Sequence, residues 1–538
     1  MIPYPPLSLP TYSASAQSHS PKTPIHPKPI KHYTNRYTIE YTNKRTQPNH
    51  GRATTNITFE RESRMKRGRQ LIENFIVFAL GTLGSKLIAL FLLPVYTHYL
   101  TPSDFGIVDV SLVAVDLIAA VAALGIHESV LRYTMLDPET ADESLSNGLA
   151  VTLCAVALVA IIGGITYAHS TTPVIPVFIS IIVCLQLIQA LFGRYARAVG
   201  KVRLFASSGL LQVFVMGTCA VVLIAVLKWG VAGYFTSLAA GIVSSTAVLV
   251  VFSGGLKHLR PSKISRKTTI KMARFSLPLV PNAVMWWMIS ALGRYFLLAN
   301  QGTAEIGLFS AASRVAAIIT MFTTVFAQAW QLSANAEYDS GSRDNFPSAA
   351  LSRYQLTLFL AAVGLTAVIK PLMHTLVGPN FYPAWQYAPI LILSAVFASL
   401  SAFLGTAYTA AFRTTGVLTT SIAGALITTM LYATMVPNFG AFGAASASTI
   451  GFIMVWALRL RGIRPLIHIV NDWRTTIFGT LAVVAQMAIL HSSQTTARQV
   501  VIALGIALAF LLVRFKLVMT TATELTSLYI PSKRRPKR

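Results

Sequence analysis

Five charged residues interrupt long apolar stretches of this chain: Lys86, Asp116, Arg294, Arg314 and Lys370. A charge at membrane depth costs about 2.5–3.5 kcal/mol on insertion scales, so it usually faces a cavity or a partner. Four of the five are basic, which favours an anionic ligand over a cationic one. Desolvated guanidinium groups would hold such an anion through charge-assisted hydrogen bonds, which can be bidentate.

Depth within the predicted spans separates these residues. Lys86, Arg294 and Lys370 sit in outer halves, where long basic side chains can instead snorkel to the lipid headgroups. Arg314 lies about nine residues from the outer end of its span, near mid-depth. Asp116 reaches a similar level. It could neutralise Arg314 in an empty cavity or bind a coupling proton or sodium ion, and a purely structural pairing is an equal alternative.

Fourteen hydrophobic stretches position these residues. A bilayer core about 30 Å thick needs about 20 apolar residues in a helix. The stretches lack the period-2 alternation of barrel strands, so only helices can satisfy their backbone in lipid. The sequence therefore predicts an all-α integral membrane protein with spans at 71–93, 105–127, 146–168, 174–193, 207–228, 231–253, 275–299, 305–329, 353–376, 387–410, 415–436, 440–460, 474–491 and 498–517.

Composition agrees with a membrane protein. Of 538 residues, 54% are hydrophobic and 12% charged, whereas soluble domains carry about 25% charged residues. The formal charge of +26 is concentrated in the tails and in alternate short loops, such as 194–203 and 257–274. This positive-inside pattern favours contact with anionic membrane lipids over nucleic-acid binding and places both termini in the cytoplasm. The three cysteines lie in apolar runs and predict no metal site.

Residues 1–64 are of a different character. They hold nine of the 26 prolines and no long apolar run, so they cannot bury enough surface to fold alone. Two interpretations are open for this basic, Pro-rich extension (1–70 up to the first span). It is either a disordered cytoplasmic tail or sequence upstream of a misassigned start. The second is favoured, because Met65 and the short basic segment after it run directly into the first span.

An internal repeat spans about 200 residues. Asp104-Phe-Gly-Ile107 before the second span is similar to Glu305-Ile-Gly-Leu308 before the eighth, and Trp229-Gly-Val-Ala-Gly233 is similar to Phe439-Gly-Ala-Phe-Gly443. Two parallel six-helix repeats are one known transporter design, with the substrate between the halves. The predicted organisation is a six-helix lobe at 71–253, a basic cytoplasmic linker at 254–274, a second lobe at 275–462, two additional helices at 463–517 and a basic tail at 518–538.

Several motifs resemble one transporter family. They are Leu93-Pro-Val-Tyr-Thr-His-Tyr-Leu-Thr-Pro-Ser-Asp-Phe-Gly106, Arg132-Tyr133, Phe275-Ser-Leu-Pro-Leu-Val-Pro-Asn282 and Pro437-Asn-Phe-Gly-Ala-Phe-Gly-Ala-Ala445. The chain resembles the polysaccharide transporter branch (O-antigen, capsule and exopolysaccharide flippases) of the multidrug/oligosaccharidyl-lipid/polysaccharide exporter superfamily. The resemblance implies an N-lobe and a C-lobe around a central cavity in the bacterial cytoplasmic membrane. One departure is Gly293, where the family often has an acidic residue.

The resemblance also implies a substrate, an undecaprenyl-pyrophosphate-linked oligosaccharide moved from the inner to the outer leaflet by alternating access. The pyrophosphate would be bound by Arg314, Arg294 and Lys86. The resemblance implies glycan polymerases and glycosyltransferases of the same pathway as further partners.

Four uncharged residues could contact the sugar. Asn282 and Gln328 could bind hydroxyls, and Trp286 and Trp287 could stack on sugar faces, although plain helix packing is an equal alternative. A hinge is predicted at Pro278 and Pro281, since each proline removes a helical hydrogen bond. A static kink explains these two prolines equally well.

The sequence contains no signature of an enzyme. It has no Walker A loop, no dinucleotide fingerprint, no metal-ligand spacing and no nucleophile beside a histidine in a loop, so we expect no catalytic residue, cofactor or metal. A glycan polymerase or ligase is the rival from another class, but it would be expected to carry a large outer loop. A multidrug exporter and a lipid II flippase of the same superfamily are nearer alternatives.

Overall fold

The computed structural model describes residues 84, 90–169, 174–340, 346–410, 414–463, 469–515 and 517–519, without the side chains of residues 138, 322, 324–340, 346–347, 409–410 and 414. The predicted N-terminal extension, most of the first span, Lys86, the side chain of Gln328 and nearly all of the C-terminal tail lie outside these residues. The proposed start at Met65 therefore stays a prediction.

Among the described residues, every regular element is helical. The N-terminal half contains α1 Leu93–Tyr99, α2 Pro102–Ala122, α3 Ile126–Leu136, α4 Ala141–His169, α5 Val174–Ala198, α6 Val202–Ala220 with a π-helix Val221–Val226, α7 Gly230–Ser253 and the short α8 Gly255–His258. The connection to the second half contains α9 Arg266–Ser276. The C-terminal half contains α10 Leu279–Ser290, α11 Gly293–Gln301, α12 Thr303–Ser340, α13 Phe346–Ala367, α14 Ile369–Leu376, α15 Ala388–Ala410 and α16 Thr414–Ile463, followed by α17 Trp473–Leu490 and α18 Thr496–Val513.

The number of membrane-spanning helices agrees only in part with the fourteen predicted from the sequence. The described residues hold 11 helices long and apolar enough to cross a membrane, or up to 12 when a helix pair bent by 70° at its break counts as one. That pair is α13 with α14, and it bends where Pro371 removes a hydrogen bond to the preceding turn. Helix α16 covers two predicted spans and breaks at Gly440, whose φ is 52°. The total of fourteen spans stays a prediction.

Helices α2 and α12 cross closely at their N-terminal ends, where the two Asp/Glu-x-Gly motifs lie. A Cβ on Gly106 would overlap the carbonyl oxygen of Thr303, and a Cβ on Gly307 would overlap that of Pro102. Ser103 Oγ lies 2.6 Å from Thr303 Oγ1. Small residues allow backbones to approach this closely in membranes. The contact closes the two halves against each other at the end of the bundle predicted to face outside.

The basic connection after α7 packs on the N-terminal half. Asn147 near the start of α4 donates to the carbonyl oxygen of Lys263 (3.1 Å), and its amide oxygen accepts from the backbone of Ser265 (2.9 Å). Ser129 Oγ of α3 donates to the carbonyl oxygen of Met272 in α9 at 2.7 Å. The predicted linker 254–274 thus continues into α9, which ends at Ser276 and packs against α3 and α4.

Candidate functional site

An ion pair joins the two halves of the protein. Arg294 on α11 donates from Nε to Oδ2 of Asp109 on α2 at 2.5 Å, and the two side chains are only 13% and 12% exposed. The Arg294 guanidinium also lies over the ring of Phe309, 5.3 Å from its centre. Arg294 therefore points into the protein in this conformation and does not extend along its span to the headgroups.

Arg314 on α12 is surrounded mainly by aromatic groups. Its Nη2 donates to the hydroxyl of Tyr234 on α7 at 3.3 Å, and its guanidinium lies 5.2 Å from the centre of the Phe105 ring. Among the described residues, its buried Nε has no hydrogen-bond partner, and neither has the buried hydroxyl of the neighbouring Tyr96. Among the described side chains, no carboxylate lies within 4 Å of Arg314. A half-buried guanidinium whose buried Nε has no acceptor is a candidate anion ligand.

Asp116 lies two helical turns after Asp109 on α2 and is exposed. It interacts electrostatically with Arg294 and Asp109, while Asp109 interacts with Arg314 as well. No described cation lies within 4 Å of Asp116. The Asp116–Arg314 pair that the sequence suggested is therefore not formed in this conformation. The ion pair that does form joins Asp109 to Arg294. The four residues nevertheless form one electrostatic cluster between the halves.

A second polar group lies inside the C-terminal half around Arg459, which is 1% exposed. Its Nη1 donates to the carbonyl oxygen of Ser401 (2.7 Å), and Nη2 donates to Ser421 Oγ (2.9 Å). Ser421 Oγ in turn donates to Asn282 Oδ1 at 3.1 Å, and the Trp286 ring lies 5.5 Å from the Arg459 guanidinium. Trp286 thus packs on the buried arginine, and Asn282 is linked to it through Ser421; contact of either residue with a sugar stays a prediction.

The neighbouring tryptophan points elsewhere. Trp287 donates from Nε1 to the carbonyl oxygen of Val113 on α2 at 2.9 Å, so it packs between the halves near the charge cluster. Pro278 lies in the turn between α9 and α10, and Pro281 lies in the first turn of α10; both are exposed. Whether the prolines act as a static kink or as a hinge stays a prediction. Among the described residues, no three metal-binding side chains lie close enough together to hold a metal ion.

Two of these contacts were missed from the sequence. Asp109 is seven residues before Asp116 and so shares its helix face, a spacing that could have identified it. Arg459 lies beside Arg461 at the predicted cytoplasmic end of its span, where the basic pattern alone would place it at the headgroups. Only the rotation of α16, which the basic pattern does not reveal, turns Arg459 into the bundle and leaves Arg461 exposed.

Comparisons with known proteins agree with this architecture. Residues 71–331 match the family described as "Polysaccharide biosynthesis protein", and no curated protein matches the sequence. The structure is similar to the lipid II flippase MurJ in an inward closed conformation, with a TM-score of 0.64 and 13% identity over 82% of this chain and 100% of that chain. It is also similar to an inward-facing multidrug resistance MATE transporter of the MOP superfamily, with a TM-score of 0.55 and 14% identity over 72% of this chain and 95% of the other.

At these identities, the structural likeness establishes the fold alone. The family match covers α1 to α11 and the first part of α12, and therefore the helices that carry Asp109, Arg294 and Arg314. Residues 71–331 are just under half of this chain, and over that part the match agrees with the resemblance stated from the sequence motifs. The structure has a fold similar to those of the lipid II flippase MurJ and the MATE transporter.

Proposed function

We propose that this protein flips undecaprenyl-pyrophosphate-linked oligosaccharide units from the inner to the outer leaflet of the bacterial cytoplasmic membrane by alternating access. The observation that carries the proposal is Arg314. It is half-buried between the halves, and among the described residues it has no carboxylate within 4 Å and its buried Nε has no hydrogen-bond partner. A phosphoryl group entering the space between the halves would supply the missing acceptor and the missing negative charge.

Asp109 would compete with the substrate pyrophosphate for Arg294 and Arg314. In the present conformation it contacts Arg294 and acts electrostatically on Arg314. A pyrophosphate that binds the two arginines would release Asp109 from its ion pair and weaken the connection between α2 and α11. Substrate binding and movement of the halves would then be linked through one carboxylate.

The closed contact between α2 and α12 supports a cycle that starts from the predicted inner side. Thr303 and Pro102 leave no space at the crossing for a side chain on Gly106 or Gly307. Passage to the predicted outer side therefore requires these helices to separate. Release would follow that separation, and the halves would close again without the substrate.

Arg314 provides the test. Arg314→Ala should abolish export of the glycan in a complementation assay while protein abundance stays near that of the parent. Arg314→Lys should recover only part of the activity, because one ammonium cannot reproduce the guanidinium fork. Arg266→Ala, which removes an exposed arginine of α9, is the matched control and should export normally.

A structural role for Arg314 predicts a different pattern. If its bond to Tyr234 matters most, Tyr234→Phe should lower abundance and export as much as Arg314→Ala does. Full export by the Arg314→Ala protein would eliminate the proposed role in substrate binding. Rescue of a strain lacking its lipid II flippase would favour that alternative substrate, and export of cationic drugs would favour a multidrug exporter.

A further inference from the structure

Two cations are held on a pair of aromatic rings at the predicted cytoplasmic surface, between α3 and α9. The Arg132 guanidinium lies 4.4 Å from the centre of the Phe275 ring, and Lys271 Nζ lies 5.0 Å from the centre of the Tyr133 ring. The two rings contact each other edge to face, with centres 6.3 Å apart. Each helix supplies one cation and one ring, so the four side chains form an interlocked cationic pair that rotates less freely than ordinary surface side chains.

Neither cation is neutralised by a nearby acid. Among the described residues, no carboxylate lies within 4 Å of Arg132 or Lys271, and both side chains are exposed. Glu128, one turn before Arg132, is 2.7 Å from Arg194 instead. Asp142 on α4 contacts the connection between the halves, through His258, Arg260 and Lys263. Glu128 and Asp142 thus contact other cations, and among the described residues the interlocked cationic pair has no carboxylate partner.

An apolar groove lies one helical turn along α3 from the interlocked cationic pair: Glu128 lines it together with His127, and Glu128 is one turn before Arg132. It has a volume of about 340 Å³ and is walled largely by alanine, leucine and valine side chains of α2, α5 and α10, among them Ala119, Ala123, Leu187, Ala190, Val280 and Ala283. Gly125, just before α3, lies close to Ser276 at the end of α9: a Cβ on Gly125 would be 3.0 Å from the carbonyl oxygen of Ser276. The small residue lets these two segments approach each other next to the groove. Groove and cations therefore follow each other along the same seam between α3 and the α9–α10 segment.

We propose that this seam is the loading site for the lipid-linked pyrophosphate substrate, with the pyrophosphate on Arg132 and Lys271 and the start of the polyprenyl chain in the groove. The proposal rests on the proposed function and adds the place where the substrate is first bound. Two fixed cations match the two phosphoryl groups of a pyrophosphate, whereas the phosphodiester of an ordinary anionic phospholipid carries a single charge.

The direction of the groove agrees with this role. Two of its alanines, Ala119 and Ala120, belong to α2, which also carries Asp116 and Asp109. Asp116 lies within one turn of Ala119 and Ala120, both of which line the groove, and interacts electrostatically with Arg294. A headgroup that leaves the interlocked cationic pair would thus move along α2 toward the charge cluster between the halves.

The experiment measures binding of undecaprenyl pyrophosphate to the purified full-length protein in lipid nanodiscs. The double variant Arg132→Ala/Lys271→Ala should weaken binding at least tenfold. Lys257→Ala/Lys267→Ala removes the same charge from exposed positions of the nearby surface and should weaken it less than twofold. Phe275→Leu keeps both cations but removes the ring beneath Arg132, and should weaken binding about two- to fivefold, whereas Tyr133→Phe keeps its ring and should bind normally.

Several results would overturn the loading site. Equal weakening by the two double variants would reduce it to general surface charge. Displacement of undecaprenyl pyrophosphate by an equal concentration of phosphatidylglycerol would show a site for bulk anionic lipid. Normal binding by Arg132→Ala/Lys271→Ala, together with loss of glycan export by Arg314→Ala, would reject the loading site and leave the proposed function intact. Failure of the parent protein to bind undecaprenyl pyrophosphate, with normal export by Arg314→Ala, would reject both.

Discussion

Asp109 and Arg294, 185 residues apart in the sequence, form an ion pair at 2.5 Å that links α2 of the N-terminal half to α11 of the C-terminal half. Both side chains are largely buried, so each would be costly to leave in the interface without the other. Asp116 and Arg314 lie in the same electrostatic cluster. The ion pair is therefore placed where closure of the two halves and binding of an anion would compete.

The first prediction concerns this pair. Asp109→Ala should destabilise the protein, because removal of one partner from a buried pair costs about 3–5 kcal/mol. The melting temperature of the purified protein in detergent should fall, and glycan export should fall with it. The double variant Asp109→Ala/Arg294→Ala should recover much of the melting temperature but not the export. A melting temperature of Asp109→Ala equal to that of the parent would show that the pair contributes no stability.

The crossing of α2 and α12 gives the second prediction. Gly106→Ala places a methyl group where the carbonyl oxygen of Thr303 lies, so the helices must separate for the variant to fold. Export should fall strongly, and a cysteine introduced at Ser103 should become more accessible to thiol reagents. Gly164→Ala is the matched control, because a Cβ there meets nothing within 4 Å. Full export by Gly106→Ala with unchanged accessibility at position 103 would contradict a tight closure.

Much of the fold was predictable, because the length of an apolar run and the charge of the loop beside it can each be taken from a short stretch of sequence. Each run long enough for a bilayer predicted a helix, and the Gly106 and Gly307 motifs marked the two helices that cross. The breaks were less predictable. Gly440 breaks α16 between the two spans expected there, but the 70° bend between α13 and α14 falls inside one expected span. In addition, α9 packs on the N-terminal half although it precedes the first helix of the second.

The site was predictable in its residue types but not in its pairing. Depth identified Arg314 and Asp116 as candidates at one level of the membrane, but it placed Arg294 in an outer half, where snorkelling was an alternative. Which carboxylate contacts which arginine depends on the rotation of each helix and on the distance between helices that are far apart in the sequence. Hydrophobic periodicity gives neither the rotation nor the distance. The same limit applies to Arg459, since snorkelling and burial are equally compatible with its position along α16.

The third prediction follows from the burial of Arg459. It bonds to the carbonyl oxygen of Ser401 on α15 and to Ser421 in the first part of α16, and so ties three helical segments together. Arg459→Met should lower the melting temperature of the purified protein clearly, by the loss of several hydrogen bonds worth about 1.5–3 kcal/mol each to a charged donor. Arg461→Met, two residues later and exposed, should leave it within about one degree, in line with the small effect of surface changes.

If Arg459→Met and Arg461→Met melted at the same temperature, the buried arginine would not stabilise the C-terminal half. Arg459→Lys refines the test, since a lysine keeps the charge but cannot supply the same fork of donors. We expect a melting temperature between those of the parent and Arg459→Met.

The last prediction tests the sidedness on which the direction of transport depends. Alternating basic loops place α9 in the cytoplasm and the 3₁₀-helix Pro379–Gln386 outside. Lys267 and Asn380 are exposed residues of these two elements, so each can be replaced by cysteine in a protein whose Cys154, Cys184 and Cys219 have been changed to alanine. In intact cells, a membrane-impermeant maleimide should label Asn380→Cys and not Lys267→Cys, whereas after permeabilisation it should label both. Labelling of Lys267→Cys alone in intact cells would invert the topology, put the interlocked cationic pair of Arg132 and Lys271 on the outer surface and make it a release site.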